Sequence, residues 1–189
     1  FEFTRTSVGI ANLPVKLSSF IPGVLSDGNG PTHQAIEDFA VLRAIPNMTI
    51  LEVGDATEAE SVLDVAHAID GPVYIRQLRG EVSRIFPQDE PMVLNRARLL
   101  STGDEITLVT SGIMTEEALR AIPLMQAQGV GIQHLHVSTI KPFNDPEVIR
   151  AITSAKHGVV TMENHSIVGG VGSAVAEIMA EHGSTSPLK

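Results

Sequence analysis

The 189-residue sequence predicts an α/β protein of two domains, each with a mainly parallel sheet. Short runs rich in β-branched residues alternate with stretches of helical period, first within residues 1–85 and again within residues 105–189. Such alternation is typical of units in which a helix crosses over between two parallel strands. Residues 86–104 are polar, rich in turn-forming residues and without a sustained helical period. They predict a linker with room for a hairpin.

In the first block, two strands flank a capped helix. Residues 48–53 (MTILEV) predict a buried strand, and residues 72–78 (PVYIRQL) predict the next one. The helix between them is expected to begin with a capping box formed by Thr57 and Glu60 and to continue to about Ile69. Its inward face is predicted to consist of Val62, Val65, Ala66 and Ile69.

The second block repeats the alternation. Its predicted strands are residues 106–112, 131–137 and 158–162. A helix near residues 116–128 contains Pro123, which should kink or shorten it. The pair Asp145-Pro146 favours a helix start, with Asp as N-cap and Pro as first helical residue. A last helix is expected over residues 170–182, ending at Gly183.

Composition excludes several classes of protein. The net charge of −9 argues against a general binder of nucleic acid or anionic membranes, because such surfaces need clustered Lys and Arg. No stretch approaches the length of a membrane span, and no signal-peptide pattern opens the sequence. The absence of cysteine excludes disulfides and thiolate chemistry and fits a reducing cytoplasm, where we expect the protein to be.

A glycine-broken turn presents a histidine near the start of the chain. In DGNGPTHQ, Gly28 and Gly30 allow Asp27, Asn29 and the backbone amides to approach a ligand closely. A helix is expected from Pro31-Thr32, with Ile36, Phe39, Ala40 and Leu42 facing inward. His33 would then lie in the first turn, where the helix dipole opposes a charged imidazole and favours a neutral, hydrogen-bonding one. The alternative interpretation is an ordinary surface turn before a helix.

Two arginines follow the predicted strand 72–78. Ligands collect at the carboxyl ends of strands in open α/β sheets, so Arg76 or Arg79 could bind a phosphate there. The alternative is that both form salt bridges at the surface.

Three further patterns carry weaker signals. Gly170 and Gly172 match a dinucleotide fingerprint poorly, so close packing of the following helix on the sheet is the favoured interpretation. Glu163 and His165 are expected to be polar partners at a domain interface. His134 and His136 lie on one face of a strand, but the sequence offers no convincing third ligand, so no metal site is predicted.

The segment DGNGPTHQAIEDFAVLRAIPNMTI closely resembles the signature of the pyrimidine-binding domain of transketolases. In the second block, ITLVTSG, HVSTIKPFN and VVTMENHSIVGGVGSAV resemble the transketolase C-terminal domain. The resemblance covers nearly the whole chain in the right order. It implies a pyrimidine-binding domain at residues 1–85 that lacks its N-terminal part, and a C-terminal domain at residues 105–189 whose end is also expected to be missing.

The resemblance implies transfer of a two-carbon ketol unit between sugar phosphates with thiamine diphosphate, whose thiazolium supplies the carbanion chemistry. It makes His33 the catalytic hydrogen-bonding and proton-transfer residue and Arg79 the phosphate-binding residue. The family's acidic residue that contacts the donor sugar falls at Asn29, and Asp27 could replace its charge. The residues that hold the cofactor in this chain remain unassigned.

The resemblance also implies partners. In the family, the diphosphate and Mg²⁺ are held by an N-terminal section whose motif does not occur in this sequence. We therefore expect a chain that is inactive alone and works with that section and with a second copy of itself. The start at Phe1 and the stop after GSTSPLK fit an incomplete chain, a subunit of a split protein, or both.

Rival functions remain open at this point. One is a related thiamine-diphosphate enzyme, similar to deoxyxylulose-phosphate synthase or to a 2-oxo acid dehydrogenase β subunit, and the neutral Asn29 keeps it open. Another is a non-catalytic assembly subunit. A third is a nicotinamide-binding module built on the Gly170 region.

Overall fold

The computed structural model describes all residues from 1 to 189. Its strands are β1 (Lys16–Phe20), β2 (Thr49–Glu52), β3 (Val73–Gln77), β4 (Arg98–Ser101), β5 (Ile106–Thr110), β6 (Ile132–His136), β7 (Thr139–Lys141) and β8 (Gly158–Met162). Its α-helices are α1 (Asp38–Arg43), α2 (Ala56–His67), α3 (Met114–Gln126), α4 (Pro146–Thr153) and α5 (Val171–Glu181). A π-helical segment spans Thr4–Gly9, and three short 3-10 turns lie between β1 and α1. The predicted α/β class with two mainly parallel sheets is confirmed.

The first sheet contains a strand from the second half of the chain. Its order is β1-β3-β2-β7, with the first three strands parallel and β7 antiparallel to β2. After β6 ends in the other sheet, the chain needs only Val137 and Ser138 to reach β7. The sequence analysis missed β7 because three residues carry too short a pattern to show a period.

The second sheet has the order β4-β6-β5-β8, with β6, β5 and β8 parallel. Its edge strand β4 pairs antiparallel with β6 and lies inside the predicted linker 86–104. The hairpin suggested for that segment is not formed, because β4 finds its partner more than 30 residues further along the chain.

Two of the predicted N-caps can be compared with the structure, and one of them is correct. Helix α2 begins one residue before Thr57, and its N-cap is Asp55, whose Oδ1 accepts a hydrogen bond from the Glu58 amide at 2.8 Å. The predicted Thr57 capping box is therefore wrong by two residues. Asp145 caps α4 as predicted, through a 2.9 Å bond from the Glu147 amide.

The two remaining helix predictions differ in outcome. Helix α5 ends as predicted, with His182 as C-cap and Gly183 at a positive φ of 64°. Helix α3 runs through Pro123 without ending there, so the predicted shortening does not occur.

A single apolar cluster joins the two halves of the chain. Its 15 buried residues include Phe39, Ile50 and Tyr74 from the first half and Val109 and Val175 from the second. A smaller cluster under α2 contains Val62 and Ala66, fully buried, with Val65 and Ile69 packed against it as predicted. No helix is long and apolar enough to cross a membrane.

Candidate functional site

The candidate site lies at the carboxyl edge of the first sheet. Strands β1 and β3 are parallel with Phe20 opposite Gln77, so the segments that follow both strands leave from the same edge. One segment carries the Asp27–His33 turn and the other carries Arg79. This is the edge at which open α/β sheets bind ligands.

An open cleft of about 440 Å³ begins at this edge. Arg79 lines it together with Ile21 and Leu25 from the segment after β1. The second half of the chain contributes Ile113 and Glu116 to the same cleft. The exposed Arg79 guanidinium thus faces a space between the two domains that a small anion can enter.

The predicted substrate residues lie on an exposed turn next to this cleft. Asp27, Asn29 and His33 are all exposed, in two consecutive 3-10 turns separated by Gly30 at a φ of 73°. The Asp27 carboxylate accepts a bond from the Gly28 amide at 2.7 Å, and the Asn29 amide donates to Ser26 Oγ at 3.2 Å. The turn therefore presents an acid, an amide oxygen and an imidazole to solvent.

The predicted helix start at Pro31-Thr32 is wrong. His33 ends a 3-10 turn, and α1 begins only at Asp38. The intervening Ala35 is extended against Pro22, and its carbonyl accepts from the Gly23 amide at 2.9 Å, so its backbone cannot join the helix. Ile36, expected to face inward, is 41% exposed.

His33 lies outside any α-helix, so the helix dipole expected to keep its imidazole neutral does not act on it. Its Nδ1 lies 3.0 Å from Thr32 Oγ1, and Nε2 has no hydrogen-bond partner in the chain. Nε2 is therefore free to exchange a hydrogen bond or a proton with a ligand.

Arg76 and Arg79, three residues apart, have opposite environments. Arg76 is fully buried, so it neither reaches the cleft nor forms the surface salt bridge that was the alternative for it. Its Nη1 donates to Glu52 at 2.6 Å and its Nε to Asp38 at 2.9 Å. Its guanidinium also stacks over the Phe39 ring, 4.6 Å from the centroid. Arg76 is an internal anchor, and Arg79 alone is left for a ligand.

His165 lies at the contact between the domains, whereas Glu163 makes its hydrogen bonds within the second domain. His165 stacks on Phe39 with ring centroids 5.0 Å apart, and its Nε2 accepts a bond from the Phe39 amide at 3.2 Å. Glu163 accepts bonds from the amides of Val171 and Gly172 at 2.7 and 2.9 Å. The N-terminus of α5 is thus occupied by the chain's own carboxylate, which argues against a phosphate or nicotinamide cofactor there.

His134 and His136 belong to a second buried network between the domains. His134 Nε2 lies 2.8 Å from Thr110 Oγ1, and His136 Nδ1 lies 2.6 Å from Thr115 Oγ1. His136 Nε2 lies 3.0 Å from the carboxylate of Glu58, which comes from α2 of the first domain. These contacts are structural, and the two imidazoles face hydroxyls and a single carboxylate instead of a set of metal ligands.

Burial and the neighbouring charge set the protonation of this network. Burial alone would raise the pKa of Glu58, but the charge of His136 and hydrogen bonds from His136, Ser138 and the Gly54 amide lower it to about 2. Burial, with a smaller effect of the charge of His136, lowers the pKa of His134 to about 4. Glu58 is therefore an ionised group inside the interface at neutral pH.

Comparison with known proteins agrees with this architecture. Residues 1–84 match the transketolase pyrimidine binding domain, and residues 95–189 match the transketolase C-terminal domain. The chain belongs to the transketolase family. The resemblance of the THQ segment and of the second block is thereby confirmed.

Individual members of the transketolase family resemble the chain over its whole length. A 6-deoxy-6-sulfo-D-fructose transketolase subunit from Clostridium sp. is 41% identical over 93% of this chain and 54% of its own. One of the subunits of an apulose-4-phosphate transketolase from Actinobacillus succinogenes is 32% identical over 100% of this chain and 60% of its own. The solved structure of a split-gene transketolase, an inactive beta4 tetramer, matches with a TM-score of 0.89 and 36% identity over 100% of this chain and 59% of that one. The chain spans a little over half the length of these relatives.

Within this transketolase-family chain, the four predicted site residues gather at one sheet edge. Asp27, Asn29 and His33 lie in the two consecutive 3-10 turns after β1 and do not line the cleft, while Arg79 lies in the cleft without a hydrogen bond to them. Sequence reasoning missed the residues that hold this edge in place. Among them, Asn164 belongs to the segment ENHS, where nothing in the spacing indicates that it contacts the first domain.

Proposed function

We propose that this chain is the C-terminal section of a transketolase, which transfers a two-carbon ketol unit between sugar phosphates using thiamine diphosphate. The observation that carries the proposal is the exposed turn with Asp27, Asn29 and His33, which follows β1 at the same carboxyl sheet edge at which Arg79 follows β3 in a transketolase pyrimidine binding domain. A sugar phosphate needs hydrogen-bond partners for its hydroxyls and a cation for its phosphate. This edge offers both.

Each residue then has a distinct role. His33 Nε2, which has no partner in the chain, exchanges a proton or hydrogen bond with the reacting oxygen of the sugar. Asn29 and Asp27 bind hydroxyls of the donor, with Asp27 supplying the negative charge that Asn29 lacks. Arg79, exposed in the cleft, binds the phosphate, a role that suits the fork of donors on a guanidinium.

Thiamine diphosphate supplies the carbanion chemistry when it is bound. At this edge Arg79 is the one cation of the cleft, and the carboxylates are Asp27 on the turn and Glu81 and Glu116 in the cleft. No set of three or more carboxylate and imidazole side chains is placed to hold a metal ion. We therefore assign the diphosphate and Mg²⁺ to an N-terminal section and propose that the active enzyme contains that section and at least two copies of this chain.

A second donor class is favoured by the neutral Asn29. An enzyme of the deoxyxylulose-phosphate synthase or 2-oxo acid dehydrogenase type would take a smaller donor, and a sulfonated sugar would suit the same guanidinium. The 41% identical relative is named for a sulfonated ketose. Arg79 does not distinguish a phosphate from a sulfonate, so sugar phosphates remain the proposed substrates on the family resemblance alone.

The test compares this chain alone with a one-to-one mixture containing a candidate N-terminal section, with thiamine diphosphate and Mg²⁺. A ketopentose phosphate serves as donor, pyruvate and a sulfonated ketose serve as rival donors, and an aldose phosphate is present in every assay as the acceptor. We expect turnover of the ketopentose phosphate only in the mixture. If the mixture assembles but turns over only a rival donor, the substrate belongs to that donor's class. If it assembles and turns over no donor, the chain is better explained as a non-catalytic assembly subunit.

His33→Ala provides the site-directed arm of this test. We expect it to lower kcat by roughly 10²- to 10⁴-fold, the range for loss of a general acid–base group, without preventing assembly. His67→Ala is the matched control, since His67 is an exposed histidine at the end of α2 with no side-chain hydrogen bond. Full turnover by the His33 variant would contradict the assigned role.

A further inference from the structure

The turn that carries the proposed substrate residues is held at both ends by the second domain. Residues 22–36, here called the site loop, contain the exposed turn and its two flanks. Residues 164–166, between β8 and α5, contact the site loop at its beginning and at its end. These contacts use backbone groups of the loop, so they fix its path while leaving its side chains free.

The beginning of the site loop is bonded to the side chain of Asn164. Its Nδ2 donates to the Pro22 carbonyl at 3.0 Å, and its Oδ1 accepts from the Val24 amide at 3.0 Å. Asn164 is 7% exposed, so these bonds form away from water. Between the two partners, Gly23 has a φ of 60°, and a Cβ there would overlap with the Asn164 side chain. The loop and the amide are closely fitted to each other.

The end of the site loop is held by the neighbouring backbone. The Ser166 amide donates to the Ile36 carbonyl at 2.9 Å. Arg76 Nη2 donates both to the Ala35 carbonyl at 2.8 Å and to the Asn164 carbonyl at 3.0 Å, which ties the two segments to the first sheet. The Gly23 amide then joins the two ends of the loop through Ala35.

We propose that Asn164 is a positioning residue that sets the conformation of the substrate-binding turn from the C-terminal domain. Only a side chain with a donor and an acceptor on one rigid plane can bond to the Pro22 carbonyl and the Val24 amide at the same time. Aspartate keeps the acceptor and loses the donor, and alanine loses both. Asn164 makes no hydrogen bond to an exposed side chain of the turn, so it acts through the loop backbone. Its consequence for substrate binding rests on the proposed function; its effect on the loop does not.

Amide hydrogen exchange of this chain tests the effect on the loop directly. We expect Asn164→Ala to speed exchange of the Gly23 and Val24 amides at least roughly tenfold, because the Val24 amide loses its acceptor and the Pro22 carbonyl loses its donor. Exchange in β5 should not change. Ser166→Ala is the matched control, because the bond from Ser166 to Ile36 uses the backbone amide. Asn164→Asp should exchange at least as fast as alanine, because it loses the donor and sets a buried charge against the Pro22 carbonyl. Asn164→Ser, which keeps one hydroxyl, serves if these variants do not fold.

Kinetics in the mixture with an N-terminal section test the consequence. We expect Asn164→Ala to raise KM for the donor sugar phosphate about tenfold while the KM for thiamine diphosphate is unchanged, with partial recovery in Asn164→Ser. Unchanged exchange in a folded variant would overturn the inference even if ketol transfer is confirmed. Faster exchange in a mixture without ketol transfer would support the positioning of the loop and reject only the proposed function.

Discussion

Replacing Arg76 with methionine should destabilise the protein more than any surface change. Methionine keeps a stem like that of arginine but removes the charged guanidinium that lies between two carboxylates. Glu52 is 1% exposed and bonded to Arg76 at 2.6 Å, and Asp38 is bonded at 2.9 Å. Removing one partner of a buried ion pair costs about 3–5 kcal/mol, because the remaining charge stays buried without compensation.

This loss is a large part of the stability of a typical domain, about 5–15 kcal/mol. For a chain of this length, each kcal/mol lowers Tm by roughly 2–4 °C, so Arg76→Met should lower Tm by about 6–20 °C. The loss also includes the bonds from Arg76 to the carbonyls of Ala35 and Asn164, so the site loop should loosen first.

The sequence provides a local probe for the measurement. Tyr74 is the only tyrosine, there is no tryptophan, and its hydroxyl donates to Asp38 at 2.7 Å. Near-ultraviolet circular dichroism therefore reports on the surroundings of Arg76, and far-ultraviolet circular dichroism reports on the whole fold during urea unfolding. Both signals should show the loss of stability.

Two variants show whether the buried charge is the cause. Arg79→Met, at the exposed arginine, should change stability by no more than about 0.5 kcal/mol. Combining Arg76→Met with Glu52→Gln and Asp38→Asn should recover part of the loss, because no uncompensated carboxylate remains. If Arg76→Met unfolds within about 1 kcal/mol of wild type, the reasoning from buried charge is refuted.

Two further changes test two carboxylates, Glu58 at the contact between the domains and Glu163 at the N-terminus of α5. Glu58→Gln should lower the free energy of unfolding by up to about 3 kcal/mol above pH 4.5, because folding lowers the pKa of Glu58 from 4.5 to about 2. The difference in free energy between wild type and variant should shrink as the pH falls towards 2, where the wild-type carboxylate becomes protonated. Urea unfolding at pH 7 and pH 3 measures this, and an equal difference at both would contradict the pairing with His136. Glu163→Gln should lower the free energy of unfolding by about 1 kcal/mol, since the N-terminus of α5 loses a carboxylate cap. A thermal melt with unchanged Tm would show that the cap contributes nothing.

The sequence predicted the regular elements well where a period and a cap coincide. Asp145-Pro146 and Gly183 marked helix ends correctly because their effect is local: a side-chain bond in one case and a left-handed backbone in the other. The helix expected at Pro31 failed because Ala35 is held extended by Pro22, a contact made through tertiary structure. Local propensity could not show that this backbone was already engaged.

The residues of the candidate site were predicted from the family resemblance, but the residues that hold the site loop in place, Arg76 and Asn164, were not predicted. Nothing near Arg76 and Arg79 in the sequence shows that one is enclosed by Glu52 and Asp38 and the other faces a cleft. Asn164 lies about 140 residues from the loop that it holds. Such long-range pairings depend on how the domains pack, which no short window of sequence records.

Strand β7 has a consequence for where this chain can be divided. It belongs to the second half in sequence and to the first sheet in space, paired with β2. A cut between residues 84 and 95, the interval between the two matched domains, would separate β7 from the first sheet and divide the shared apolar cluster. Exchanging one half for that of a distant relative would put a foreign β7 next to β2 and foreign side chains into the shared cluster. The two halves are therefore constrained to be inherited, and engineered, as a matched pair.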